Sequence, residues 1–71
     1  MITGSVASWH DEDGWGVIRV DGAEALVWAH FSAVDVPGYR ALVPEERVEL
    51  EYERAEQDGY HYRATLVRRA G

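Results

Sequence analysis

The sequence predicts an all-β domain of five short strands, and three observations lead to that prediction. Turn-forming residues cut the chain into short segments at 11–14 (DEDG), 21–22 (DG), 37–38 (PG) and 58–59 (DG). Between these turns, apolar and polar residues alternate with a period of two, as in strands that bury one face. The chain has 71 residues, so we expect a single domain that spans 1–71.

The first two strands are expected at residues 4–10 and 15–20, on either side of the DEDG turn. In the second of these strands, Gly16, Ile18 and Val20 share one face. The opposite face carries Trp15, Val17 and Arg19. The first face suits an apolar core, and the second presents a large ring beside a positive charge.

The third strand is expected at 24–30, although residues 24–34 would also suit a helix of three turns on propensity alone. As a strand, the segment sets Val27 and Ala29 on one face and Leu26, Trp28 and His30 on the other. The small apolar residues then point inward. If this strand lies beside the second one, the outer face holds one aromatic patch, consisting of Trp15, Val17, Trp28 and His30.

The fourth and fifth strands are expected at 47–53 and 60–68. Residues 44–57 are rich in helix formers and begin with a proline followed by two glutamates, as helices often do. A helix would, however, place glutamates 45, 49 and 53 at successive i,i+4 positions, where like charges repel by a few tenths of a kcal/mol. The alternation of Val48, Leu50 and Tyr52 with glutamates favours a strand.

Two stretches of the chain, DGWGVI at 13–18 and VWAHFSAV at 27–34, carry motifs that resemble those of the cold shock domain family. The stretch DGWGVI, residues 13–18, is similar to the family's K-G-F-G-F-I, and VWAHFSAV, residues 27–34, is similar to V-F-V-H-F-S-A-I. The opening G-x-V at residues 4–6 also matches, as does PGYRALVPEERVELEYE over residues 37–53. The resemblance covers nearly the whole chain and weakens after Glu53.

The resemblance implies a small five-stranded antiparallel barrel of the OB type that binds single-stranded RNA or DNA on an aromatic face. The function expected from it is that of an RNA chaperone with low sequence specificity. The residues expected to bind the nucleic acid are Trp9, Trp15, Val17, Arg19, Trp28, His30, Phe31 and Tyr39.

Several of these residues also have a structural interpretation. The two tryptophans of the patch could belong to the core, since tryptophan buries much surface. Trp9 either completes the aromatic face or covers one end of the barrel. Phe31 either faces the ligand or holds the turn at Ser32, and Tyr39 either closes over a base or anchors its loop. Arg19 either contacts a phosphate or pairs with a nearby carboxylate.

The chain departs from the family pattern in ways that weaken a nucleic-acid site. Ser8 stands where the family has a stacking tryptophan, and Asp13 stands where it has lysine. Val17 replaces a phenylalanine that stacks on bases in relatives. These losses support an alternative function, a divergent fold that serves as a protein-interaction module and binds nucleic acid weakly or not at all.

The charge balance also limits the kind of nucleic acid that the chain would bind. The formal net charge is −6, and the seven basic residues are all arginine. Because phosphate neutralisation supplies much of the affinity for a duplex, this acidity argues against a binder of duplex backbone. It argues less against a protein that stacks unpaired bases.

Other function classes find little support in the sequence. There is no cysteine, so neither a disulfide nor a thiolate metal site is expected. We find no nucleophile elbow, phosphate-binding glycine loop or H-x-x-x-H spacing, so we expect no enzyme, cofactor or metal. The carboxylates at 11–13 are expected to be solvated. Without a signal peptide or an apolar run near 18 residues, the protein is expected in the cytoplasm and away from membranes. A monomer is expected, with a domain-swapped dimer as the alternative.

Overall fold

In the part of the chain that the structure describes, five strands form a closed barrel and are accompanied by one short 3-10 turn, which confirms the predicted all-β fold class. The computed structural model describes residues 1–35 and 41–70. The elements are β1 (Ile2–His10), β2 (Trp15–Val20), β3 (Leu26–His30), the 3-10 turn (Phe31–Ala33), β4 (Arg47–Gln57) and β5 (Tyr60–Arg69). Around the barrel the strands follow the order β1-β2-β3-β5-β4, and β4 pairs with β1 to close the ring.

Within the described residues, four of the five strand pairs are antiparallel, as expected, and the fifth is parallel. β1 pairs antiparallel with β2 and β4, β2 with β3, and β4 with β5. β3 and β5 run parallel, with Trp28 opposite Arg63. The reason is geometric: strand directions cannot alternate all the way around a closed ring that has an odd number of members. At least one neighbouring pair must therefore run the same way.

Both segments that could have been helical are strands. The predicted strand at 24–30 begins at Leu26, and the predicted strand at 47–53 continues to Gln57. The β4–β5 hairpin is therefore longer than expected and turns at Asp58 and Gly59, which both have positive φ (50° and 88°). Within residues 1–35 and 41–70, no helix has the length and apolar character needed to cross a membrane.

The core fills the inside of the barrel with aliphatic side chains from the inner face of each strand. Ile18 and Val20 come from β2, as the alternation predicts, and Val27 and Ala29 come from β3. The remaining buried members of this cluster are Val6, Val34, Leu42, Val48, Leu50, Ala64 and Val67. Trp9, Ala25, Tyr52 and Tyr62 are partly buried and pack against it.

A β-bulge in β1 changes which face each later residue of that strand occupies. Val6 lies opposite Ile18, but Ser8 lies opposite Val17, so Ala7 is the additional residue. The shift brings Trp9 opposite Gly16 on the inner face and His10 opposite Trp15 on the outer face. Because side chains alternate along a strand, one inserted residue exchanges the two faces.

Gly16 is required by the close approach of β1. A Cβ atom at this position would overlap both the backbone carbonyl oxygen of Ser8 and the ring of Trp9. The Trp9 ring therefore occupies the space that the Cβ atom of any larger residue at position 16 would need. Gly22, in the β2–β3 turn, has positive φ (73°), but a Cβ atom there would meet no other atom within 4 Å.

An ion pair on the outside of the barrel joins the start of β4 to the turn after β2. Arg47 donates to both carboxylate oxygens of Asp21, with Nη1 at 2.9 Å from Oδ1, and the Thr3 hydroxyl donates to Oδ2 at 3.0 Å. The hydrogen bonds from Arg47 and then Thr3 lower the pKa of Asp21 below its usual value. The same contact raises the pKa of Arg47.

We expect Gly16→Ala to lower the free energy of unfolding by at least about 2 kcal/mol, because the added methyl group overpacks against β1. The matched control is Gly22→Asn, since asparagine tolerates positive φ and the site is open. The control should change stability by no more than about 0.5 kcal/mol. Urea denaturation followed by circular dichroism measures both variants. Equal stability of Gly16→Ala and the wild type would contradict the packing of Trp9 on Gly16.

We expect Asp21→Asn to reduce stability at neutral pH but not in strong acid. The carboxyl has a lowered pKa in the folded state, so its contribution is present above the unfolded pKa and disappears as pH falls through the folded pKa. The difference in melting temperature between the wild type and Asp21→Asn should therefore shrink below about pH 4. Thermal unfolding across a pH series measures it, and a difference that stayed constant to the lowest pH would contradict the role of the ionised carboxyl.

Candidate nucleic-acid interface

Five rings follow one another across the outer face of the barrel, and we call them the aromatic row. Its members, in spatial order, are His10, Trp15, Trp28, His30 and Phe31. Successive ring centroids are separated by 4.3, 6.2, 5.9 and 4.5 Å. The two central contacts are close to parallel, with interplanar angles of 23° and 25°. Such a row offers flat apolar surface over several neighbouring positions.

The row forms because three strands present the same face side by side. Trp15 lies opposite His30 across the β2–β3 pair, and Val17 lies opposite Trp28. The alternation along the two strands predicts that Trp15, Val17, Trp28 and His30 form one patch if the strands are neighbours, and the register confirms it. His10 joins the row through the β1 bulge, which sets it opposite Trp15.

The members of the row differ in how much surface they expose. Trp28 is only 8% exposed and Val17 only 4%, although neither belongs to the cluster inside the barrel. These two residues are among the least accessible parts of the outer face. Phe31 is 43% exposed, and Trp15 and His30 are half-buried. Accessible ring surface is therefore greatest toward the two ends of the row.

The indole nitrogen of Trp28 is a buried donor without a partner. Nε1 has no hydrogen-bond acceptor within the described residues. A buried polar group in this state costs about 1–3 kcal/mol relative to one that is satisfied. The ring is thus held in place by its apolar contacts with Trp15 and His30 at a cost to stability.

The ring of His30 is oriented by the turn that follows it. Its Nδ1 accepts a hydrogen bond from the backbone N–H of Ser32 at 3.2 Å and lies 2.8 Å from the Ser32 hydroxyl oxygen. Because Nδ1 accepts from a backbone donor, the neutral ring carries its proton on Nε2. His30 therefore combines a flat ring with one N–H donor that Ser32 leaves free.

Phe31 holds the end of β3 against the β1–β2 turn, and its ring remains accessible to solvent. Its backbone N–H donates to the carbonyl oxygen of Gly14 at 2.8 Å. Its ring lies so close to Gly14 that a Cβ there would approach the ring to 2.8 Å, and Gly14 has positive φ (76°). The contact fastens the end of β3 to the β1–β2 turn. With 43% of the residue exposed, the ring still offers surface to a ligand.

The other residues expected at the site lie in different surroundings. Trp9 is partly buried, lies opposite Gly16 on the inner face and packs against the core, so it is not part of the aromatic row. Arg19 is exposed on the outer face, beyond Val17 on the same strand. Within residues 1–35 and 41–70, no carboxylate lies within 4.0 Å of its guanidinium. Tyr39 lies outside the described residues.

His10 is the member of the row that sequence reasoning missed. In a regular strand, alternation from Val6 would have placed Trp9, not His10, beside Trp15. The sequence holds no evident signal for the bulge at Ala7, which is an ordinary small residue between Val6 and Ser8. Only the pairing of β1 with β2 reveals it.

The charges around the row are mainly negative. Asp11, Glu12 and Asp13 are exposed in the turn between His10 and Trp15. Within the part of the chain that the structure describes, no group of three or more histidine, aspartate or glutamate side chains could hold a metal ion. The turn carboxylates therefore border the aromatic row as solvated charges.

A cleft opens between the end of β3 and the β4–β5 hairpin, beside the row, and we call it the β3–β5 cleft. Its volume is about 460 Å³, and its lining includes Trp28, His30, Ser32, Glu53, Arg63 and Thr65. Arg63 donates from Nη2 to Oε2 of Glu53 at 2.6 Å. The cleft thus joins two rings of the aromatic row to a charged pair.

Comparison with known proteins identifies similar sequences. The model of the "Cold-shock" DNA-binding domain matches residues 2–69. A cold shock protein CspA from Staphylococcus saprophyticus is 38% identical over 68 residues, which cover 96% of this chain and 98% of that protein. A cold shock-like protein CspA from Stigmatella aurantiaca is 39% identical over 54 residues (76% and 79% coverage). A cold shock-like protein CspD from Vibrio cholerae is 33% identical over 61 residues (86% and 79%).

We expect His30 and His61 to hold opposite neutral tautomers. His30 accepts at Nδ1 from a backbone N–H, so its proton lies on Nε2. His61 faces the Glu56 carboxylate with Nδ1, at 2.8 Å from Oε2, so its proton lies on Nδ1. Long-range ¹H–¹⁵N NMR correlations at pH 8 distinguish the two tautomers, and His61 serves as the internal control. A protonated Nδ1 on His30 would contradict its orientation by Ser32.

Proposed function

This chain belongs to the cold-shock DNA-binding domain family, whose members bind single-stranded nucleic acid, and we propose that it stacks unpaired bases of RNA or DNA on the aromatic row. The observation that carries the proposal is the continuous run of five rings on one outer face. In this role the protein is an RNA chaperone with low sequence specificity, since every base has a flat face that can stack.

The stacking contacts supply most of the binding energy. Stacking of a base on an aromatic side chain contributes about 1–3 kcal/mol per base as measured by truncation. Trp15 and His30 are half-buried and Phe31 is exposed, so three bases stacked on the accessible surface of these rings contribute on the order of 3–9 kcal/mol before ordering costs. Trp28, which is nearly buried, contacts the rings of Trp15 and His30, and Val17 lies opposite Trp28 in the sheet. Affinity is therefore expected in the micromolar range or weaker.

Electrostatics contributes little to affinity. The chain has a net charge of −6, and four of its arginines (47, 63, 68 and 69) pair with carboxylates. Arg19 is exposed on the same face as the row and is the cation best placed to contact a phosphate. Few counterions are then released on binding, and affinity should depend weakly on salt.

Binding of this kind keeps a strand unpaired. A base stacked on Trp15 or His30 is not available to stack within a duplex, so the protein favours the open strand wherever local pairing is weak. Because the affinity is modest, the strand is released readily. Transient binding without sequence preference is what an RNA chaperone needs.

We further propose that the protein acts as a monomer with one domain, 1–71, in the cytoplasm. Support for the monomer comes from the barrel, in which all five strand pairs form within one chain. The partner is then single-stranded RNA or DNA alone, without a cofactor. Size-exclusion chromatography with light scattering tests the oligomeric state, and a swapped dimer would appear at twice the mass.

We expect Trp15→Ala to weaken binding of a short fluorescein-labelled oligothymidine by at least about fivefold, because one stacking surface is removed. The control is Leu26→Ala, which truncates an exposed apolar residue (45% exposed) on the same outer face but removes no ring. Fluorescence anisotropy at low salt measures the affinity, and circular dichroism checks that both variants are folded.

Two outcomes would contradict the proposal. Equal affinity of Trp15→Ala and the wild type would exclude stacking on the row as the source of binding. Absence of binding by the wild type at tens of micromolar protein would indicate instead that this member of the family acts as a protein-interaction module.

A further inference from the structure

We propose that the β3–β5 cleft selects guanine, whose Watson–Crick edge is read by the Glu53 carboxylate together with the Arg63 guanidinium. The inference rests on the proposed function, because it requires that a nucleic-acid strand lie along the aromatic row. It adds a base-specific contact to a surface that otherwise only stacks. The residues of the cleft that would make this contact belong to β4 and β5, outside the row.

The parallel pairing of β3 and β5 places the charged pair beside the rings. Trp28 lies opposite Arg63 across that pair, and Arg63 lies opposite Glu53 across the β4–β5 pair. His30 and Ser32 line the same cleft from its other side. A base that stacks against the His30 end of the row therefore has its edge within the cleft that Glu53 and Arg63 line.

The pair has unused hydrogen-bonding capacity. One bond, from Arg63 Nη2 to Glu53 Oε2 at 2.6 Å, joins the two side chains. A carboxylate accepts at both oxygens, and a guanidinium carries five N–H groups. About half of each side chain remains accessible, at 48% for Glu53 and 45% for Arg63. Acceptor and donor groups are thus presented side by side to a ligand in the cleft.

Guanine matches this arrangement better than the other bases. Its Watson–Crick edge carries two adjacent donors, N1–H and N2–H, followed by the O6 acceptor. A carboxylate can accept from both donors while the neighbouring guanidinium donates to O6. Adenine, cytosine, uracil and thymine each lack the adjacent pair of donors. They would leave one carboxylate oxygen facing an acceptor or an unfilled position.

Charge favours a base over a phosphate in this cleft. Arg63 alone would attract a phosphate group, but its ion pair with Glu53 makes the site neutral overall. A phosphate would have to approach the Glu53 carboxylate in a molecule that already carries a net charge of −6. A neutral base meets no such repulsion. At about 460 Å³ the cleft is also within the usual size of small-molecule sites, about 300–1,000 Å³.

The test compares guanine with hypoxanthine, which lacks the N2 amino group and is otherwise the same base. The full chain is titrated with a thymidine hexamer, with hexamers that carry one guanine in place of each thymine in turn, and with the corresponding inosine hexamers. We expect at least one position at which guanine binds about fivefold or more tightly than inosine. Fluorescence anisotropy at fixed low salt measures each affinity.

Two variants assign the selectivity to the cleft. Glu53→Gln replaces one acceptor by a donor and should remove the difference between guanine and inosine. Affinity for the thymidine hexamer should not fall, because the substitution also removes a negative charge and the ion-pair partner of Arg63. Glu49→Gln is the matched control, because it also removes a carboxylate that faces an arginine across β4 and β5, Arg68 at 3.9 Å, but outside the cleft. It should keep the guanine preference.

The outcomes separate this inference from the proposed function. Binding of the thymidine hexamer without any guanine preference would overturn the guanine site and leave stacking on the row intact. A guanine preference that survives in Glu53→Gln would also overturn it. Failure to bind any of the oligonucleotides would overturn both.

Discussion

The parallel contact between β3 and β5 joins two strands of the closed barrel that are far apart in the sequence, and the candidate interface depends on it. Strand pairing there is short: Trp28 lies opposite Arg63, Val34 forms an isolated bridge with Val67, and the backbone N–H of Asp35 donates to the Val67 carbonyl oxygen at 2.7 Å. Inner-face residues of both strands, such as Val27 and Ala64, complete the contact by packing. The same contact sets the aromatic row against the β4–β5 hairpin and so creates the cleft.

The proposed interface offers apolar surface in a molecule whose net charge, −6, has the same sign as that of a nucleic-acid strand. Most of the arginines described are engaged with carboxylates on the barrel surface, which stabilises strand pairs but leaves little positive charge for phosphates. Stacking is insensitive to the sign of the protein's charge, so the rings can hold a strand that the field as a whole repels. The proposal of weak and reversible binding rests on this balance. Such binding suits a protein whose task is to keep strands open.

Much of the site could be predicted from local pattern, and the part that could not depends on pairing. The period of two placed Trp15, Trp28 and His30 on one face correctly, because neighbouring side chains in a strand must point in opposite directions. The same rule failed for Trp9 and His10, since one added residue at Ala7 exchanges the faces and has no distinctive residue type. Alternation predicts the face on which a side chain lies, but it does not predict how much of that side chain is exposed to solvent. Trp28 is on the outer face as expected, yet only 8% of it is exposed because rings from two other positions pack against it.

The amino-acid sequence alone was sufficient for the fold class, the five strands of the described residues, the turns at 11–14, 21–22 and 58–59, and the face that carries the rings, whereas the turn predicted at 37–38 lies outside the described residues. These features follow from interactions within a few residues, such as alternation along a strand and the conformations that glycine and aspartate permit in turns. Tertiary structure decided which strands pair in parallel, where β1 bulges, how deeply Trp28 lies, and that Glu53 and Arg63 meet beside it. Those features depend on contacts between residues that are far apart in the chain and that meet only in the folded barrel.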